Sequence, residues 1–325
     1  MKVAYIGGFW ATNIGNAFYN LGAIHLLENV FGSNNVYFVP DPPQWYWRTN
    51  NDYSLLANLD IDLCVISGPC LTMGRSPTIK SIYKSIFDKF KANGIKLALL
   101  SVGSYNNCPK EASAIADFLN LYNISFMSTR DRNTYNLYKN LVSFPIFDGI
   151  CTSMFLNDAV KTVPLSADSY TVFNFEKKYE PVISMNKGVV EIKKRRRLSF
   201  QSEFNGNKIV RTNNEPFSRF SGLKFDRKNT YYSDLPYGYL SILKHAKNVF
   251  SDRVHTCAAT LIYGGAAMFI KGSNRSRDAR NLIFQRIGVG DDIGIRPCKL
   301  DMNFILKEKS LLTDFLMSQK TRSQP

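Results

Sequence analysis

The chain has 325 residues, 45% of them hydrophobic, which is more than one core usually gathers and enough apolar material for two. Its 41 Lys and Arg against 26 Asp and Glu give a formal charge of +15, which favours anionic partners without naming one. No ordered nucleic-acid motif accompanies that charge, so nucleic acid is not the expected partner.

The opening run Met1-Lys2-Val3-Ala4-Tyr5-Ile6-Gly7-Gly8 is too short for a secretion signal and reads as a buried first strand. The uncharged stretch from Thr256 to Ile270 falls short of the roughly 20 residues a bilayer-spanning helix needs. The expected location is therefore cytoplasmic, with at most a peripheral association at the inner face of the membrane. Six cysteines lie scattered without a C-x-x-C pair, and His25, His245 and His255 are too few for a multi-histidine metal site. Neither a metal nor a cofactor is expected.

Short apolar runs alternate with amphipathic segments through the first half, the pattern of a parallel sheet with crossover helices. Strands are predicted at Lys2–Ile6, Val36–Val39, Leu63–Ser67, Lys96–Val102, Ser125–Ser128 and Phe144–Phe147. A helix opening near Asn16 carries Ala17, Leu21, Ile24, Leu27 and Val30 at helical spacing, with His25 beside the stripe as a structural or solvent-facing residue. A second helix spans Pro77 to Asn93 and closes at Gly94. Between them, Trp45, Tyr46 and Trp47 beside Arg48 either stack on the apolar face of a sugar or fold over the core.

Pro164 and the polar run Ser166-Ala167-Asp168-Ser169 divide the chain into residues 1–165, a linker at 166–180, a compact second α/β domain at 181–302, and a C-terminal helix and tail at 303–325. The second domain begins with a strand at Pro181–Met185 and continues with one at Lys208–Arg211. Between them, Lys193-Lys194-Arg195-Arg196-Arg197 must be exposed or paired. That run either solubilises a face, docks on an anionic membrane or contacts an acidic acceptor. Further on, Asp234 caps a helix that starts at Pro236, a strand covers Asn248–Phe250, and another covers Ala267–Ile270.

Ser251-Asp252-Arg253-Val254-His255 joins such a strand to a helix of small residues. Unpaired N–H groups at a helix start attract phosphate or carboxylate, Arg253 adds a planar fork of donors, and His255 can exchange a proton near neutrality. Arg253 pairing with Asp252 while His255 caps backbone groups is the plain structural alternative. At the N-terminus, Gly7-Gly8-Phe9-Trp10-Ala11-Thr12-Asn13-Ile14-Gly15-Asn16 lets backbone approach a ligand, yet matches neither a dinucleotide fingerprint nor a P-loop. Ser67-Gly68-Pro69 and Ser101-Val102-Gly103-Ser104 end strands that line the same edge. Arg130 and Asp131 end another, with Asp131 capping the helix Arg132–Leu141.

In order and composition these segments resemble the polysaccharide pyruvyl transferase family. Asn13-Ile14-Gly15-Asn16 looks like its N-x-G-D loop, Arg130-Asp131 like its mid-chain strand end, Phe147-Asp148-Gly149 like its Asp-containing strand end, and Ser251 to His255 like its S-x-R-x-H segment. The resemblance implies a GT-B-like α/β fold of two Rossmann-like domains facing a cleft, with the acceptor on the first and the donor on the second. It implies transfer of a pyruvyl group from phosphoenolpyruvate to glycan or lipid-linked glycan hydroxyls as a ketal. His255 and Arg253 would be catalytic. Arg130, Arg253, Ser251, Arg275 and Arg277 would bind the donor, and Asn13, Gly15, Asn16, Trp45, Trp47, Gly68 and Ser104 the acceptor. Asn16 departs from the family's Asp, and the Lys expected after the Gly-strand is absent near Arg275 and Arg277. Alternative readings are a GT-B-like glycosyltransferase using a nucleotide sugar, and a degenerate glycan- or anion-binding protein.

Overall fold

The computed structural model describes residues 1–8, 10, 13–40, 60–68, 70–72, 79–166, 168–176, 179–186, 189–193, 200–215, 229–233, 235–271 and 279–322. Trp45, Trp47, Lys194 to Arg197, Asp234, Arg275 and Arg277 lie outside the described residues.

The first half forms a parallel sheet from β1 (Val3–Gly7), β2 (Val36–Pro40), β3 (Leu63–Ser67), β4 (Cys70–Leu71), β5 (Lys96–Ser104), β6 (Ile124–Thr129) and β7 (Ile146–Phe147), in the order β2-β1-β3-β5-β6-β7, with β4 beside β5. β1 and β3 are buried at every position, as strands covered on both faces must be. The order reverses between β1 and β3, so the loops after them diverge and leave an opening at the carboxyl edge. Helices α1 (Gly15–Phe31), α2 (Ile79–Ala92), α3 (Pro109–Leu119), α4 (Arg132–Tyr138) and α5 (Leu156–Ala159) accompany this sheet.

The second sheet contains β8 (Tyr170–Asn174), β11 (Glu203–Phe204), β12 (Asn207–Thr212), β13 (Thr230–Tyr231), β14 (Asn248–Ser251) and β15 (Ala267–Phe269), ordered β11-β12-β8-β14-β15, with β13 beside β12. Here the reversal falls between β8 and β14. Strands β9 (Val182–Asn186) and β10 (Val189–Lys193) form a separate antiparallel hairpin. Helices α6 (Pro236–His245), α7 (Val254–Ile262), α8 (Leu282–Arg286) and α9 (Met302–Arg322) complete the chain.

The linker expected at 166–180 is corrected at its centre. Tyr170–Asn174 is fully buried and pairs with β12 on one side and β14 on the other, making it the central strand of the second sheet. Polar neighbours, and Thr171 and Asn174 within it, disguised a five-residue buried strand. The strand expected at Pro181–Met185 is present as Val182–Asn186, but it pairs with β10 in the hairpin and not in the second sheet, and Ile183 is its one buried residue.

On α1 the expected stripe holds, with Ala17, Leu27 and Val30 buried and Leu21 and Ile24 half-buried against the core, but the buried face is wider: Phe18, Tyr19, Ala23 and Leu26 are buried too, because α1 is enclosed by Thr152–Phe155 and by α7 of the second half. One apolar cluster therefore runs from Val3 and Phe18 to Val172, Tyr239 and Ala258 without interruption. The last helix returns to the first half: Phe315 stacks on Phe147 at 4.7 Å and meets Phe126 edge-on, while Lys320 donates to the Val30 carbonyl at 2.7 Å.

Candidate active site

The site grows from the loop ends at the two sheet reversals. On the second sheet, Asn174 ends β8 and Ser251 ends β14. Ser251 Oγ donates to Asn174 Oδ1 at 2.8 Å and accepts from the Arg253 N–H at 2.9 Å. That hydroxyl is consumed and the residue is fully buried, so Ser251 shapes the turn and does not present itself to a donor, which corrects its expected role. Arg253 then caps α7 with extended backbone geometry and leaves His255 in the first helical turn.

Arg253 is buried and forms ion pairs with Glu215 at 2.7 Å and Glu176 at 3.6 Å through Nη1, yet among the described residues that nitrogen has no aligned hydrogen-bond acceptor. Asp252, the partner that the plain alternative assigned to Arg253, receives the Glu176 N–H on both carboxylate oxygens at 3.1 Å. Beneath them Asn214 Oδ1 accepts from Asn174, Tyr239 and Thr256. Burial drives the Tyr239 hydroxyl pKa well above its ordinary value, with the Glu176 charge adding to it, so this network is held in its neutral form.

The N-terminal loop closes onto this group. The Ile14 N–H donates to the Asn214 carbonyl at 2.8 Å, and Asn13 Oδ1 accepts from the Gly15 N–H at 3.1 Å. A Cβ on Gly15 would stand 2.8 Å from Asn214 Nδ2 and 3.5 Å from the His255 Cβ, so only glycine lets the two halves approach this closely. The Tyr19 ring lies 5.1 Å from the His255 ring, and Gly68 presses against Tyr19 from β3. Asn16 is half-buried beside Gly8. Gly15 thus lies beside His255, with Asn13 holding its N–H and Gly68 lying against Tyr19, whose ring faces His255. Ser104 is buried at the end of β5, where its Oγ accepts from the Asn107 N–H at 3.2 Å.

Arg130 enters from the end of β6, buried against Gly103, where an added Cβ would lie 2.3 Å from the guanidinium Nε. Asp131 next to it caps α4, accepting from Thr134 N and Oγ1 at 2.8 and 2.9 Å, as the sequence predicts; burial raises its pKa. Asp148 is engaged elsewhere, paired with Arg132 at 2.5 Å and with Arg286 at 3.4 Å.

His255 is held neutral. Its pKa is pushed down to about 3, first by desolvation and then by the charges of Arg130, Arg253 and Arg280. Arg280 was not anticipated. It follows β15 in a short turn whose Ala279 N–H donates to the Tyr105 carbonyl at the end of β5, and its guanidinium lies over the Tyr105 ring. The missing Lys pointed to cations at 275 and 277, and the run simply extends three residues further, to a position that the fold brings to His255. The charges of three arginines from separate elements therefore act on one neutral imidazole, an arrangement suited to a multiply charged anion. Among the described residues no group of three or more His, Cys, Asp or Glu is placed to hold a metal ion.

The sequence matches the polysaccharide pyruvyl transferase family over residues 13–274. The chain belongs to that family. This pyruvyl transferase family member is an enzyme of the pyruvyltransferase type, and the matched span contains the Asn13 loop, Arg130 and the Ser251-to-His255 segment. No curated protein matches it. Among solved structures, UDP-GlcNAc 2-epimerase from Neisseria meningitidis bound to UDP-GlcNAc is similar at 9% identity and a TM-score of 0.52, covering 98% of this chain and 100% of the other. The S. aureus MnaA–UDP co-structure is similar at 10% identity and a TM-score of 0.50, covering 98% and 90%. Identities this low show the fold alone, an α/β architecture consistent with the GT-B type.

Proposed function

We propose that the enzyme takes phosphoenolpyruvate as donor and forms a pyruvate ketal across two hydroxyls of a glycan or lipid-linked glycan precursor. The reaction would occupy a cleft between two Rossmann-like lobes. The observation that carries this reading is the convergence of Arg130, Arg253 and Arg280 on His255. Phosphoenolpyruvate offers a phosphate and a carboxylate on one small skeleton, and three guanidinium groups match that charge without a metal. His255 is neutral before the donor arrives. Donor charge would offset the arginines, raise the imidazole pKa and equip it to deliver a proton to the enol carbon, after which the adjacent carbon is open to attack by a hydroxyl.

Asn13, Gly15 and Asn16 line the opposite side, where a sugar hydroxyl would approach. Among the described residues no helix is long and apolar enough to cross a membrane. The Lys193 to Arg197 run would bring the enzyme to an anionic membrane surface carrying a lipid-linked acceptor. Replacing those five cations with Ser should abolish retention on anionic vesicles and leave turnover of a soluble acceptor intact.

The deciding experiment offers phosphoenolpyruvate with candidate glycans and follows inorganic phosphate. Acceptor-dependent phosphate release is expected. Tight binding of a nucleotide sugar, with no binding of phosphoenolpyruvate, would overturn the donor assignment in favour of glycosyl transfer.

A further inference from the structure

A histidine that delivers a proton is ordinarily kept in one orientation by a hydrogen bond from its second ring nitrogen to a carboxylate or carbonyl. His255 lacks that support. Among the described residues neither of its ring nitrogens makes a hydrogen bond, and its ring partner is Tyr19, with centroids 5.1 Å apart and planes inclined by 51°. What moves its pKa is desolvation and the charges of three arginines, with no hydrogen bond contributing. Its place in the first turn of α7 fixes the backbone and leaves both side-chain torsions to whatever packs against the ring. An aromatic ring from the other half of the chain thus stands where a carboxylate or carbonyl usually would.

Tyr19 is itself tightly held. It lies buried on α1, where its carbonyl accepts from Thr152 Oγ1 at 3.0 Å and its hydroxyl accepts from the Gly8 N–H, just past β1, at 3.2 Å. Gly68, just past β3 and at φ +70°, packs against the ring: a Cβ there would lie 2.6 Å from Cε2 and 2.8 Å from Cζ. A Cβ on Gly8 would lie 2.1 Å from the hydroxyl oxygen. Neither glycine position admits a side chain while the phenol stays where it is. The ends of β1 and β3 therefore set the place of the ring, and the ring meets the imidazole. The three arginines rest on other contacts: Arg130 packs on Gly103, Arg253 pairs with Glu215 and Glu176, and Arg280 lies over Tyr105. Each of those contacts is made without Tyr19.

We propose that Tyr19 is a positioning residue: its ring sets the orientation of the His255 imidazole and leaves both ring nitrogens to the reactants. The orienting contact is independent of any reaction; its effect on turnover rests on the pyruvyl-transfer reading. An imidazole held through one nitrogen has a single nitrogen left for chemistry. One held by packing keeps both, which suits a group that must first gain a proton and then deliver it to carbon. Loss of the ring should therefore act on the proton-transfer step and spare the binding of the anion.

The test compares the wild-type chain with Tyr19→Phe, Tyr19→Leu and Tyr19→Met, the last filling the space flexibly should leucine impair folding. The sequence has three histidines, so the His255 Cε1–H signal is assigned in NMR spectra by its persistence in His25→Gln and His245→Gln. Its order parameter should be near the rigid value of about 0.85 in wild type and Tyr19→Phe, and below about 0.6 in the leucine and methionine variants. A rigid imidazole in both of those folded variants overturns the proposal. Inorganic phosphate, titrated by calorimetry, should bind all four proteins within about threefold. A loss beyond about tenfold without the ring overturns the proposal as well, because Tyr19 would then support the anion site. With phosphoenolpyruvate and a glycan, Tyr19→Leu and Tyr19→Met should lower kcat by about a hundredfold at nearly constant donor KM. Tyr19→Phe should restore kcat to within about fivefold of wild type. A kcat close to wild type without the ring overturns the role in turnover. If the order parameters behave as expected while the wild type never consumes phosphoenolpyruvate, the transfer reading falls and the orienting role stands.

Discussion

Replacing Gly103 with Ala would act on Arg130 without touching its charge. The added methyl carbon would sit 2.3 Å from Nε and 2.7 Å from both Cζ and Nη2, whereas ordinary contact begins at 3.4 Å. The backbone of Gly103 does not have the positive φ seen at Gly68 or Gly94, so alanine is permitted there and the strain falls on the guanidinium. Relief requires Arg130 to retreat by roughly 1 Å, a displacement that can cost on the order of a hundredfold in rate when it misplaces a catalytic contact. Overpacking should also cost about 1–3 kcal/mol of stability. Calorimetric titration with phosphoenolpyruvate, read beside a urea denaturation curve, separates the two effects. The expected result is a weakened donor and a lower kcat in a folded protein. A variant that binds and turns over the donor as wild type does would refute the placement of Arg130 in the donor site.

Other consequences can be measured separately. Because the folded-state pKa of His255 lies below the unfolded value of 6.5, the unfolded chain binds the extra proton first as pH falls. Stability attributable to this residue is therefore complete above pH 6.5 and declines toward about 3; with partial solvent access discounted, the loss should be about 2 kcal/mol, visible as a difference between wild type and His255→Gln in pH-dependent denaturation. Donor binding near pH 6 should take up close to one proton, detected by calorimetry in buffers of different ionisation enthalpy. Asn214→Ala removes the acceptor shared by Asn174, Tyr239 and Thr256 and should cost about 2–3 kcal/mol in urea unfolding. Asp148→Asn weakens the links to Arg132 and to buried Arg286, and should lower the thermal midpoint while leaving donor affinity nearly intact.

Much of the first sheet is legible in the sequence because its strands are short, uniformly apolar runs bounded by Gly, Asn or Pro. Leu63–Ser67 has the same limits in sequence and structure. The Asp131 cap and the strand-to-helix turn at Arg253 are equally readable, since each depends on neighbouring residues alone. What escapes is set by distance along the chain. Tyr170–Asn174 reads as linker because its central position depends on partners at 207–212 and 248–251, and α1 reads as one-sided because α7 covers its other flank only after both halves meet. Arg280 and Glu215 are surface-like charges in sequence, and only the fold brings them to His255 and Arg253. Ser251 errs in the opposite direction: its type suits ligand contact, but its hydroxyl is donated to the distant Asn174 side chain while it accepts from the Arg253 N–H.

The return of α9 to the first half also bears on how the protein is made. Phe126 and Phe147 are synthesised early, yet the ring that packs against both, Phe315, emerges some 170 residues later. On the ribosome the first sheet must therefore wait with an apolar face exposed until nearly all of the second half has been translated. Early assembly is consequently the period of greatest exposure to aggregation, and a chaperone that shields that face would matter more during translation than after release.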